Sequence, residues 1–431
     1  MSDDVPRAGA PASPPPASPA CALADGPPPS PATAVVDGSA TSPATAVVDG
    51  SATSPASAVV DRPGTSPRDP RSGHPYLTID LAKIEHNARA IVGLCREHGI
   101  AVTGVTKATC GHAEVARAML RGGVSSLGES RLESVQRLRG AGLDTPYILL
   151  RLPPLSGVDA VVEGVDVSFH SELAVLARLS EAAARRGRAH EVVLMVELGD
   201  LREGIWPDDL VPFAHAALRL PGVRIKGVGT NLACFGAVMP SADNMGRLVE
   251  LAGEVERTCG LTLEWISGIN SSGLALLASG RMPGRVNHAR IGEAILLGRE
   301  TIHRRPWPGT YQDAFRLHAE VLELKRKPSV PIGERCEDAF GTLPVFEDRG
   351  PVLRALLNLG REDVDVDGLT PVDPRVRILG ASSGYLVLDV SALSGEVRVG
   401  DELAFSVSYG ALLAAMTSEY VQKRTRPGVV G

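Results

Sequence analysis

Between residue 75 and about residue 305, short apolar runs alternate with longer stretches whose apolar residues recur every three or four positions. Residues 76–79 read as a first strand. Residues 80–97 then place Leu81, Ile84, Ala88, Ile91, Leu94 and Cys95 on one helical face, with Asp80 as the N-cap. Eight further strands are expected at 101–106, 125–129, 145–151, 165–170, 191–198, 222–230, 262–269 and 285–291. Segments long enough for helices separate them, as at 112–120, 130–138, 172–183, 207–218 and 241–259. Strand and helix repeated in this way imply right-handed parallel crossovers, and eight of them suit a closed ring better than an open sheet. The expectation is an α/β fold, a (β/α)8 TIM barrel over residues 75–305.

The rhythm changes on either side of that region. Extended runs at 317–324, 353–359, 376–379, 385–390, 396–399 and 402–407 are divided by Gly, Pro and Asp turns, which predicts a mostly-β C-terminal domain over 306–431. Residues 1–73 consist largely of Pro, Ala, Ser and Gly and carry the repeat SPATAVVDGSAT at 30–41 and 42–53, with a decayed copy at 54–65. So few large apolar side chains cannot offset the entropy of ordering, so a disordered tail is expected there. Composition excludes several functions. A net charge of −6 without a basic block disfavours nucleic-acid binding. No long uncharged apolar run suggests a membrane span, and the amino terminus, Met-Ser-Asp-Asp, lacks the pattern of a secretory signal, so a cytoplasmic protein is expected. The six cysteines lack metal-ligand spacing; free thiols and no metal are expected.

In barrels of this kind chemistry gathers at the carboxyl ends of the strands, and here nearly every such end is polar. Lys107 ends the run 101–106 in a chain whose 44 basic residues are mostly arginine. A desolvated lysine loses its proton readily and forms Schiff bases with carbonyls such as pyridoxal phosphate, whereas a snorkelling surface lysine is the bland alternative. The segment SGINSSG at 267–273 follows a strand and opens a helix, so its hydroxyls and N–H groups suit a phosphate; an ordinary serine-glycine turn would look the same. Arg290 ends the eighth strand beside that loop, placed either to face a ring nitrogen or to form a buried salt bridge. Arg202 offers a planar fork to a substrate carboxylate, or pairs with Glu203 or Asp200. An amine, a phosphate loop and an arginine near the ring together describe a pyridoxal phosphate site.

Six segments carry a resemblance: TKATCGH at 106–112, LGDLREG at 198–204, GTNLACFG at 229–236, SGINSS at 267–272, RIGEAILLGRE at 290–300 and VPIG at 330–333. In this order they resemble the alanine racemase superfamily, specifically its ornithine racemase-like branch, over about Tyr76 to Lys423. The resemblance implies that pyridoxal 5'-phosphate is held as a Schiff base on Lys107, which also serves as one of two bases. It further implies Arg290 at the pyridine nitrogen, Ser271 or Ser272 with Gly292 on the phosphate, and Arg202 at the substrate carboxylate. The reaction implied is interconversion of L- and D-amino acids, with ornithine or another basic amino acid as substrate and alanine as a further candidate. In the wider superfamily the second base is a tyrosine from the partner subunit, in a Gly-Tyr-x-Asp context, and a homodimer is therefore expected. Here the corresponding segment reads Gly360-Arg361-Glu362-Asp363, without the tyrosine. Arg361, Asp363, Asp338, Tyr385 and Cys234 are the candidate replacements. A pyridoxal phosphate homeostasis protein without turnover and a fold-related amino-acid decarboxylase are the rival readings. The segment DVDVDG at 363–368 resembles half a calcium loop, but its twelfth position is Pro374, so a solvated turn is expected. Deleting residues 1–73 should leave the rate of racemisation within about twofold of the full chain, measured by polarimetry, because a tail without a core has no part in the site.

Overall fold

The structure, a computed structural model, describes residues 73–426. The tail expected over 1–73 thus lies, but for Gly73, outside the described residues. Strand β1 (Tyr76–Asp80) comes first. It is followed by β2 (Ala101–Val105), β3 (Ser126–Glu129), β4 (Tyr147–Leu149), β5 (Val167–His170), β6 (His190–Met195), β7 (Val223–Gly229), β8 (Trp265–Ile269) and β9 (His288–Ile291). These last eight strands run parallel in sequence order, and β9 closes on β2 through Ala101↔His288 to Gly104↔Ile291. Helices alternate with them. The helix Leu81–Glu97 turns Ile84, Ala88, Ile91 and Cys95 inward, and Asp80 accepts the Lys83 N–H at 3.1 Å as its cap. A parallel sheet covered by helices is buried on both faces, which is why β3, β5 and β9 lack any exposed position.

The inside of the ring is partly polar. Ile148, Val167, Phe169, Val193 and Met195 pack as one apolar cluster. Opposite them, Thr103 bonds Ser126 at 2.7 Å and His288 at 2.8 Å, and Ser267 bonds the other nitrogen of His288 at 2.7 Å. On the outer face of the ring, Ser168 bonds His170 at 2.7 Å and His190 at 2.9 Å. Burial pushes His170 down to about 3 and His190 to about 4, and His288 well below its ordinary value, so all three rings are neutral near pH 7.

The second sheet contains β10 (Phe315–Pro328), β11 (Pro351–Leu357), β12 (Leu369–Pro371), β13 (Arg377–Ala381), β14 (Leu386–Asp389), β15 (Glu402–Val407) and β16 (Gln422–Arg426). Its order is β12-β15-β10-β11-β14-β13, and β1 adds to it, antiparallel to β10 and parallel to β16. The first strand therefore belongs to this sheet and not to the barrel that was expected to begin at 75. Its three buried central residues mark a strand but carry no information about a partner about 240 residues away. Two further differences follow from local sequence. Residues 396–399 are turn and irregular backbone rather than a strand, and Tyr409–Thr417, an apolar run without helical contrast, is a helix whose N-terminus is capped by Ser408. No helix among the described residues is long and apolar enough to cross a membrane.

The chain leaves the barrel through a junction organised by Asn87, which is fully buried on the helix Leu81–Glu97. Its amide donates to Ile295 O at 3.0 Å and Tyr311 O at 2.8 Å, and its oxygen accepts the Tyr311 N–H at 2.7 Å. Beside it, Gly298 has φ +62°, and a Cβ there would meet Tyr311 O at 2.1 Å. Asn87→Ala strands three backbone groups at once and should lower the unfolding free energy by about 2–4 kcal/mol, read by urea titration.

Candidate active site

A cavity of about 600 Å³ opens at the carboxyl ends of the barrel strands, with Lys107, Arg202, Cys234, Ser271, Arg290 and Gly292 among its lining residues. Six of the residues singled out from sequence thus come together, although they come from different strands and loops.

Lys107 begins the turn Lys107–Thr109 directly after β2. Cys110 and Gly111 follow with φ +51° and +63°, and a Cβ on Gly111 would lie 2.9 Å from Ser134, so the chain reverses tightly against its neighbour. The turn leaves Lys107 exposed in the cavity. Behind it, the buried Thr106 hydroxyl donates to Glu129 Oε1. Glu129 is 1% exposed, and its Oε2 has no hydrogen-bond partner among the described residues. Burial lifts its carboxyl to about 7, against the opposing pull of the Thr106 hydroxyl and the Ser130 N–H.

Arg290, one residue before the end of β9, is held by neutral oxygens. Its Nη1 donates to Ser267 Oγ at 2.8 Å and Ser267 O at 3.1 Å, and its Nη2 to Thr230 O at 2.6 Å. The guanidinium lies 5.1 Å from the Phe169 ring centre. The buried salt bridge that stood as its alternative is not what holds it. Burial lowers its pKa to about 10, which still leaves it protonated near neutrality.

In the serine loop, Asn270 Oδ1 accepts from the Ser272 N–H at 2.8 Å and from the Ser272 hydroxyl. The Asn270 amide donates to Leu232 O at 2.8 Å, tying this loop to the one after β7. Ser271 faces the cavity, and its Oγ accepts the Ala294 N–H at 3.1 Å. Ser272 is turned toward Asn270 and is not among the lining residues. Gly292 lines the cavity at a close approach, since a Cβ there would meet Val105 O at 3.1 Å.

Arg202 sits on a loop shaped by Glu197, which accepts from Gly199 N at 2.6 Å, Leu201 N at 3.0 Å and Arg202 N at 3.2 Å. Its Nε and Nη2 both bind the Glu203 carboxylate, while Nη1 faces Cys234 Sγ. Of the two acids weighed as its surface partner, Glu203 takes it. Asp200 instead accepts the Cys234 and Phe235 N–H groups and anchors the neighbouring loop.

Of the candidate second bases, only Cys234 lines this cavity. Asp363 and Tyr385 line a different cleft, of about 620 Å³, on the second sheet. Arg361 lies 3.5 Å from Asp367, and Asp338 accepts from the Phe340 and Thr342 N–H groups in an exposed turn. Several lining residues escaped sequence reasoning, Tyr409, Glu293 and Arg304 among them. Tyr409, whose phenol burial raises, reaches the cavity from the start of the unforeseen helix Tyr409–Thr417; Ser408 as a helix cap was the available signal. Glu293 and Arg304 form an ion pair at 2.6 Å across the cavity wall, with Arg304 at φ +59°. Counted together, the charged lining residues are five cations (Lys107, Arg151, Arg202, Arg290, Arg304) and two acids (Glu203, Glu293).

The family described as "Alanine racemase, N-terminal domain" matches residues 79–300. An ornithine racemase of Acetoanaerobium sticklandii is 40% identical over 81% of this chain and 99% of its own length. A lysine racemase of Thermotoga maritima is 39% identical over 83% of this chain and 99% of its own length. Among solved structures, alanine racemase from D-cycloserine producing Streptomyces lavendulae superposes with a TM-score of 0.62 at 19% identity, over 83% of this chain and 98% of that one, a likeness of fold.

Glu129 gives the cavity wall a pH signature. Its carboxyl titrates at about 7 in the folded chain and near its ordinary value of 4.5 in the unfolded one. The folded state therefore holds this proton more tightly, and the stability it contributes is fully present below about pH 4.5 and lost as pH rises through about 7. In Glu129→Gln that loss disappears. The unfolding free energy of the variant relative to the parent should rise by about 3 kcal/mol between pH 4 and pH 8 in urea titrations.

Proposed function

The chain belongs to the alanine racemase family, and on that footing we propose that it is a pyridoxal phosphate-dependent racemase of basic amino acids. One observation carries the reading: Lys107, Ser271, Gly292 and Arg290 line a single cavity in which cations outnumber acids five to two. That surplus matches a phosphate and an α-carboxylate. The cradle also fits the cofactor, because Ser271 presents a hydroxyl, Gly292 brings bare backbone to the wall, and the Lys107 amine is exposed between them.

Pyridoxal phosphate, when bound, supplies an electron sink for the negative charge left at Cα. The chain's own residues supply the rest. The Lys107 amine would hold the cofactor aldehyde and carry the α-proton on one face of the substrate. Ser271, the backbone at Gly292 and the Tyr409 phenol would hold the phosphate. Arg290, protonated and pinned by Ser267 and Thr230, would donate to the ring nitrogen without giving up its proton. A ring nitrogen kept unprotonated draws less charge from Cα, which favours return of the proton over side reactions. Arg202 would take the substrate carboxylate. Proton return on the opposite face requires a second group. Cys234 is the candidate within this cavity, while Arg361, Asp363, Asp338 and Tyr385 would have to arrive from a second copy of the chain, as a homodimer would allow.

The relatives named for ornithine and lysine make those two amino acids the first substrates to test, with alanine third. Polarimetry on L-ornithine and L-lysine should show loss of rotation without release of carbon dioxide, accompanied by deuterium uptake at Cα from heavy water. Lys107→Ala should slow this by about a thousandfold or more. A variant that racemises at the parent rate would overturn the reading.

A further inference from the structure

A basic amino acid brings three charges to this cavity, and its distal ammonium needs an acid. Among the described residues the cavity wall has two, Glu203 and Glu293. Glu293 is already held from two sides, by Arg304 at 2.6 Å and Arg299 at 3.4 Å, and it follows Gly292 at the end assigned to the phosphate. Glu203 has a single strong partner, the Arg202 fork, which it occupies through both oxygens. That fork is the group assigned to the substrate carboxylate.

We infer that Glu203 is the specificity-determining residue of the site, exchanging Arg202 for the distal ammonium of a basic amino acid when the substrate carboxylate takes the Arg202 fork. The inference rests on the racemase reading for its substrate but concerns binding alone. The exchange conserves ion pairs: Arg202 with Glu203 becomes Arg202 with the α-carboxylate and Glu203 with the ammonium. The three methylenes of ornithine carry that ammonium about 4–5 Å from Cα, within reach of an acid adjacent in sequence to the carboxylate anchor. A neutral amino acid makes the first of these pairs and not the second. It leaves Glu203, whose side chain is only 16% exposed, without a partner, and that penalty is what excludes it.

The test uses holoenzyme reduced with borohydride, in which no amine can add to the cofactor, and two ligands that lack an α-amino group, 5-aminopentanoate and pentanoate. Calorimetry on the parent protein should show 5-aminopentanoate binding about 10–100-fold more tightly than pentanoate. In Glu203→Gln that ratio should fall to about twofold or less, with pentanoate binding more tightly than it does to the parent. The kcat/KM ratio for ornithine over norvaline should fall alongside it, mainly through KM. Glu203→Ala gives the same readings if the amide variant does not accumulate, and Glu203→Asp should retain the preference. An unchanged ratio, or equal weakening of both ligands as expected if Glu203 only props Arg202, overturns the inference. A protein that shows the binding preference but racemises no amino acid would instead count against the proposed function and leave this inference standing.

Discussion

Closure of the parallel ring is the constraint from which the rest follows. Once β9 pairs with β2, all eight strands deliver their carboxyl ends to one rim, and residues as distant as Lys107 and Arg290 face a common space. The same closure seals Arg290 against the barrel interior, where a charge without partners would be costly. Ser267 and Thr230 meet that need with neutral oxygens, and Ser267 is itself held by His288, which Thr103 holds in turn. The polar string inside the barrel thus ends at the cavity rim, and its one imidazole, His288, remains neutral because burial disfavours the charged form.

The second sheet is tied into this arrangement. Strand β1 lies between β10 and β16 and leads straight into the first barrel helix, so the two parts share a continuous segment of chain. Tyr409 reaches the cavity from the helix after β15, and Arg299 Nη2 donates to Val407 O at 3.3 Å from the barrel side. The cavity wall is built from both parts.

Charge sets what this cavity admits. Arg290 holds its charge without an acid, whereas Arg202 and Arg304 are each paired with one, so the excess positive charge is concentrated on Lys107, Arg151 and Arg290. An anionic ligand finds donors already oriented and loses little in reorganising them. Glu129 stands apart from these pairs. It is a carboxyl buried beside the Lys107 turn, held there by Thr106, with one oxygen unbonded among the described residues.

What the chain disclosed before any coordinates was periodic and local. Alternating strand and helix patterns identified eight parallel strands, and the polar residues that end them included Lys107, Arg202, Ser271 and Arg290, because strand ends are fixed by position along the chain. Partners were another matter. The sheet that β1 joins, the Glu203 carboxylate on Arg202, the burial of Glu129, the arrival of Tyr409 and the scattering of Arg361, Asp338, Asp363 and Tyr385 away from Lys107 all depend on contacts between distant segments. Side-chain period reports which face of an element is buried, but it carries no record of what lies across that face. Only closure of the ring and docking of the second sheet decided it.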